Sequence, residues 1–223
     1  MPTRIMGIEP DPRSALLLPT LLLALLVLPA CSILGNAGPR EASVRYAPAP
    51  RVLPDPGWPR ADWQLSIADP EVSTGFDSLR IAVRPQSNEL QVYQGARWAR
   101  PPGSMVLDSV LQALEDSGRI DAVARQSSGI GADYKLVMDL RRFESDYAGA
   151  TLPSAVVEIS AKLLHVRDQQ VAASRVFLQS VPAASPAMAD VVTAFEQALA
   201  ANSREMVGWV LESGNAHELS AHR

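Results

Sequence analysis

The sequence predicts an α+β domain of two layers, a mostly antiparallel sheet covered by two amphipathic helices. Three observations lead there. Short segments of apolar/polar alternation come first, a run of three longer alternating segments follows, and two segments repeat apolar residues at helical spacing. The 223 residues are 47% hydrophobic and 20% charged, enough for one sizeable core.

The chain opens on residues 1–30, where Ala15 to Val27 is nearly continuous Leu, Ala and Val. Thirteen helical residues rise about 20 Å, short of the ~30 Å hydrocarbon core, so a signal-peptide apolar region fits better than a spanning helix. Arg4 and Arg13 precede or flank it, although Glu9 and Asp11 offset their charge. Leu28-Pro29-Ala30-Cys31 resembles the lipobox of bacterial lipoproteins, and Cys31 is the chain's one cysteine. Pro29 is less usual there than Ser, Ala or Gly. The resemblance implies cleavage between Ala30 and Cys31, with diacylglyceryl on the thiol and an acyl chain on the new amino terminus. No other cofactor is expected. A buried core cysteine and an uncleaved anchor are the competing readings. Two or three acyl chains anchor a protein stably where one does not. Ser32 after the cysteine, where an Asp would retain the protein at the inner membrane, resembles an outer-membrane destination.

Residues 31–60 hold Pro39, Pro48, Pro50, Pro54, Pro56 and Pro59, and are expected to form a lipidated, proline-rich tether. "RVLPDPGWP" also suits irregular coil packed on the domain, with Trp58 as the contact point.

The folded body is expected over 61–212. Trp63, Leu65 and Ile67 alternate, as do Leu79, Ile81 and Val83 before Pro85; next, Leu90 and Val92 lie on one side and Gln91 and Tyr93 on the other. After Pro101-Pro102 the period changes. Leu107, Val110, Leu111 and Leu114 make one helical face, with Gly103 or Ser104 to cap its start and Gly118 to end it. A short strand over Ala122–Arg125 follows. Three longer strands then form a meander. Tyr134, Leu136, Met138 and Leu140 share a face in the first, and Val157, Ile159, Ala161 and Leu163 in the second; the third begins after the tight "RDQQ" connection. The last helix has Ser185 as N-cap and Pro186 at its first position, and Met188, Val191, Val192, Phe195, Leu199, Met206 and Val210 recur up to Glu212. Residues 213–223 are polar and expected to fray.

The composition excludes several function classes. A net charge of −4 gives no case for nucleic acid. One cysteine excludes a disulfide framework and a multi-cysteine zinc site, and His165, His217 and His222 are too scattered to assemble a metal cluster from spacing. "SSGIGAD" lacks the spacing of a nucleophile elbow, and no phosphate-binding loop is present. Asp133, Asp139, Glu144 and Asp146 scatter along one strand and are expected on a solvated face. No catalytic or metal-binding residue is expected, and the chain is read as no enzyme. One stretch, "YQGARWARPP", combines aromatic and arginine side chains of the kind enriched at interfaces. Arg84, Tyr93, Arg97, Trp98 and Arg100 are the candidate partner surface, with Trp98 alternatively in the core.

The run from "LRIAVRPQSNELQVYQGARW" through "ADYKLVMDLRRFE" and "VVEISAKLLHV" resembles the ABC-type transport auxiliary lipoproteins, outer-membrane partners of MCE-type lipid transport systems. Its hallmarks here are Arg84-Pro85, Tyr93, Arg97-Trp98, the helix near Gly103, Tyr134 and Phe143. The resemblance implies a fold similar to the amino-terminal domain of TolB and a non-enzymatic role. It implies an MCE-domain protein, an ABC permease and an ATPase as partners, and phospholipid or sterol-like lipid as cargo. The location implied is the periplasm-facing inner leaflet of the outer membrane. A periplasmic lipid-binding chaperone, holding an acyl chain between sheet and helices, is the alternative, since Ala82, Ala161 and Ala172 leave room there.

Overall fold

The expected helices and long strands are present, but Leu79 is exposed, the short strands around Ser66 and Ala82 are buried on both faces, and the strand connections are richer. The computed structural model describes residues 43–221. In chain order the elements are β1 (Val44–Tyr46), β2 (Leu65–Ile67), β3 (Glu71–Val72), β4 (Arg80–Arg84), β5 (Gln91–Trp98), α1 (Pro102–Ser117), β6 (Val123–Arg125), β7 (Tyr134–Asp146), β8 (Ser154–His165), β9 (Gln170–Pro182) and α2 (Met188–Ala221).

β7 is the spine of the sheet. Along one side it pairs with β8 from Tyr134↔His165 to Asp146↔Ser154, and β8 in turn pairs with β9. Its other side is shared in sequence: β2 takes Tyr134–Leu136, β3 takes Asp139 and Leu140, and β4 takes Glu144–Asp146. The sheet therefore forks beyond β7, with β6 outside β2 and the pair β5–β1 outside β4. The long ladders and β4–β5 are antiparallel, whereas the short ladders are parallel. Alternation alone cannot separate the two, because both have a side-chain period of 2. The helix α1 lies within the crossover that a parallel β4–β7 pair requires.

The two helices cover one face. Their core seam joins Val106, Val110 and Leu114 of α1, Phe195, Leu199 and Val210 of α2, and the even residues Tyr134–Leu140 of β7, all nearly fully buried. Where the helices meet, Ser109 Oγ and Ser203 Oγ are 2.7 Å apart. α1 begins at Pro102 itself, and no side chain caps it, so neither Gly103 nor Ser104 does. Its end falls on Gly118, left-handed with φ 57°, as expected. α2 starts at Met188, after the expected proline; Ser185 Oγ instead accepts the Ala187 N–H and donates to Asp190.

The structure corrects the expected ends of the body. Tether residues are part of it: β1 adds to the sheet beside β5, and the strap that follows is bound by side chains. Ala49 N–H donates to Glu196, Arg204 donates to Leu53 O and Asp55, and Arg119 donates to Pro56 O. Prolines lack donors but keep their carbonyls, and Arg119 takes that of Pro56. Trp58 is buried, with its indole in the space that Gly208 of α2 leaves open. At the other end α2 continues to Ala221, through residues expected to fray. A Cβ at Gly214 would overlap the Trp63 ring, and Asn215 bonds both Trp63 and Arg60. The polar residues of this last stretch are contacts rather than solvated ends. Among the described residues no helix is long and apolar enough to cross a membrane.

Candidate functional site

The strand-to-helix connection divides the five candidate surface residues among different roles. Trp98 is core. Its ring meets Phe143 and Phe195 edge-on at 5.6 and 5.1 Å, and those two stack at 4.8 Å. Its buried Nε1 has no hydrogen-bond partner among the described residues. Arg84 is bound in place, with Nη2 2.9 Å from Glu144 Oε2 and Nη1 on Ser87 O. Tyr93 shares a 2.9 Å hydrogen bond with Ser145, and burial foremost pushes its phenol up to about 12. Arg100 pairs with Asp108, which Arg125 also holds. Arg97 alone of the five is exposed with no ion pair to a described residue.

Glu144 is not on a solvated face. A register shift between Leu140 and Arg142 changes the phase of β7, so Phe143 and Ser145 turn toward the core while Arg142, Glu144 and Asp146 share the opposite face. Glu144 is fully buried there under Arg84 and Arg142. Leu90 is exposed and Val92 pairs with Ala82 away from the helices, so in β5 the inward residues are Tyr93, Ala96 and Trp98.

That shift of phase in β5 also builds an arginine row. Gly95, at φ 67°, lies within the irregularity that moves the β4–β5 register from Ala82↔Val92 to Arg80↔Arg97. Arg97 is in turn directly opposite Arg45 of β1. Three arginines thus cross three adjacent strands, about 5 Å apart from strand to strand. All three are exposed, and none forms an ion pair with a described residue. Like charges directly opposite each other on a sheet are destabilising, so the row is a standing site of unneutralised positive charge.

A second cluster joins residues the sequence keeps far apart. His165 ends β8, Asp168 lies in the turn to β9, and His217 comes from the last turns of α2. One possible ligand atom from each lies within 4.8 Å of the others. His165 Nδ1 is 3.0 Å from Asp168 Oδ1. Tyr134 OH donates to Glu218 at 2.7 Å and accepts from His217 Nδ1 at 2.7 Å. Burial foremost, with Glu218 next, pushes the Tyr134 phenol well up. The backbone N–H of Gln170, more than His165, holds the Asp168 carboxyl below its usual range. Distance in sequence hid this cluster; the signal available was that His217 and Glu218 continue the helical period past Glu212.

A groove of about 610 Å³ runs between the strap Pro48–Pro54 and α1, rather than between sheet and helices. Ala82 and Ala161 are buried and Ala172 partly so, and the neighbouring interior holds the Trp98–Phe143–Phe195 cluster. Ala30 and Cys31 lie outside the described residues.

A family model described as "ABC-type transport auxiliary lipoprotein component" matches residues 45–207. Among solved structures, the chain is similar to protein XCC0632 of Xanthomonas campestris, of the DUF330 family. The two are 52% identical, with a TM-score of 0.77, over 79% of this chain and 99% of that one. It is also similar to an uncharacterized protein at 17% identity and a TM-score of 0.59, over 75% of this chain and 97% of the other. A weaker likeness joins it to PelC of Paraburkholderia phytofirmans, at 12% identity and a TM-score of 0.44, over 66% and 88% of the two chains. A comparison with curated proteins found no match.

Proposed function

The chain belongs to the family of ABC-type transport auxiliary lipoprotein components, and from that premise we propose that it docks an MCE-domain conduit to the outer membrane in lipid trafficking. Fatty chains on Cys31 anchor it, and the folded body faces the periplasm. An ABC permease and its ATPase supply the energy, and this chain supplies attachment.

The observation that carries the docking role is the row Arg45–Arg97–Arg80. A stack of exposed like charges costs stability unless an anionic surface neutralises it, so the fitting partner is an acidic patch on the conduit protein. Trp98, Arg84 and Arg100 hold the scaffold beneath and beside that row.

The test is affinity purification from detergent-solubilised membranes, comparing the native chain with Arg45→Glu, Arg80→Glu, Arg97→Glu combined. The expected result is an MCE-domain protein and its permease recovered with the native chain and lost with the triple variant. Recovery of neither by the native chain, or equal recovery by both, removes the reading. Stoichiometric phospholipid on the delipidated chain would favour the lipid-binding chaperone instead. Mass spectrometry of the mature form checks the anchor, which requires an acylated Cys31 at the amino terminus.

A further inference from the structure

We propose that His165, Asp168 and His217 form a zinc-binding site that fastens the end of α2 to the β8–β9 turn. The fit rests on donor chemistry and on what holds each ring. His165 Nδ1 and Asp168 Oδ1 share one proton at 3.0 Å, and a cation can take its place, the ring proton moving to Nε2. Tyr134 gives its hydroxyl proton to Glu218, so His217 donates its Nδ1–H to the phenol oxygen. His217 is thereby set in the tautomer that leaves its Nε2 lone pair free. A metal-ligating histidine is characteristically oriented in this way, by a hydrogen bond from its other ring nitrogen.

The two rings are 5.0 Å apart between centroids. Ligand atoms around tetrahedral zinc are about 3.3 Å apart, given bonds near 2.0–2.2 Å. One possible donor atom from each residue lies within 4.8 Å of the others, with His165 Nδ1 and Asp168 Oδ1 already at 3.0 Å, so small side-chain rotations bring the three onto one ion. Two nitrogens and one carboxylate favour zinc over calcium or magnesium, which take oxygen ligands. The fourth position is left to water or an incoming group. The site is reachable, since the Asp168 side chain is 43% exposed and that of His165 is 15% exposed. Tyr134 and Glu218 stand behind it, the phenol buried at the base of the sheet and ring-packed against both histidines.

The test uses the full-length chain purified in detergent without a histidine tag. Stripped with chelator and titrated with ZnCl2, it is expected to take up one zinc per chain, with a rise in melting temperature. His165→Gln and His217→Ala are each expected to abolish that uptake. Tyr134→Phe, which keeps the ring but frees His217, weakens it by roughly 10–100-fold. ¹⁵N spectra of the native chain give a readout that needs no variant: zinc must shift ring-nitrogen resonances of both His165 and His217. Absence of stoichiometric uptake, uptake that persists in both histidine variants, or unmoved ring-nitrogen resonances would each overturn the proposal.

Discussion

Trp63 Nε1 donates a 2.8 Å hydrogen bond to Asn215 Oδ1, joining the strand region that opens the domain to the helix that closes it. Gly214 beside it is what admits the ring, because any Cβ there would collide with the indole. Two opposing effects bear on Gly214→Ala. Helix propensity favours alanine by up to about 1 kcal/mol. Overpacking against a buried ring disfavours it by about 1–3 kcal/mol. Overpacking wins, since Trp63 is buried and T-packed on Tyr134 at 4.9 Å. Urea unfolding of Gly214→Ala should show a loss of stability, and a gain would contradict the assignment of this stretch as structural.

Trp98 illustrates how a core residue and an interface residue differ in test. Its indole nitrogen is buried with no partner among the described residues, so Trp98→Phe removes an unsatisfied donor as well as some ring volume. The two changes offset, and a net shift within about 1 kcal/mol is expected. Trp98→Ala empties the space beside the stacked Phe143 and Phe195 and should cost about 3–5 kcal/mol. Partner recovery should be unaffected in Trp98→Phe. If recovery falls while melting is unchanged, the residue belongs to the docking surface after all.

Glu144 is the most exposed to failure of the charged groups. It is fully buried between Arg84 and Arg142, and Arg142 is held also by Asp146. Glu144→Gln leaves two guanidinium groups without their shared carboxylate, and a loss of about 3–5 kcal/mol follows from breaking one side of a buried pair. Chemical denaturation of Glu144→Gln beside Glu144→Asp measures it, and a loss below that of an ordinary surface change would refute the buried network.

Much of this was legible in the residues and some was not. The face of α1 through Leu107, Val110 and Leu114 and the even residues of β7 were readable because a single buried side imposes a strict period. Trp58 stood out as an apolar residue among prolines, and it is indeed where the strap meets the body. Glu144 departs from the alternation because an irregularity of one residue after Leu140 inverts every later position. The short strand at Val44–Tyr46 and the arginine row escaped notice because pairing partners are remote in sequence and alternation carries no register. The partnership of His165 with His217 depends on where a helix ends, and polar composition pointed to the wrong end.

Acid should loosen the strap before it unfolds the domain. The backbone N–H of Gly57 first, then Arg204, hold the Asp55 carboxyl below its usual value of 3.8. A depressed folded value means the bond's contribution is whole above the unfolded value. It is lost as pH falls through the folded one, below about pH 4. Trp58 fluorescence, three residues on, is expected to shift to the red in that window, with the shift absent for Asp55→Asn, which has no carboxyl to protonate. High salt should weaken the Arg204 part of the effect, since the pair is half exposed. A transition centred near neutrality would exclude Asp55 as its cause.

The arginine row makes stability and docking move in opposite directions, which separates it from ordinary surface charge. Arg97 faces Arg80 on one side and Arg45 on the other, so Arg97→Thr removes two cross-strand repulsions and inserts a good strand former. Each relieved pair is worth about 0.2–1 kcal/mol, so the variant should melt higher than the native chain at low salt. In the proposed complex the same guanidinium faces an acidic partner, and its loss should lower recovery of the conduit protein and flatten the salt dependence of binding. An arginine that merely kept the surface soluble would move neither quantity. Were Arg97→Thr to melt lower and still capture its partner in full, the row would be structural, and the docking surface would have to be sought on another face of the sheet.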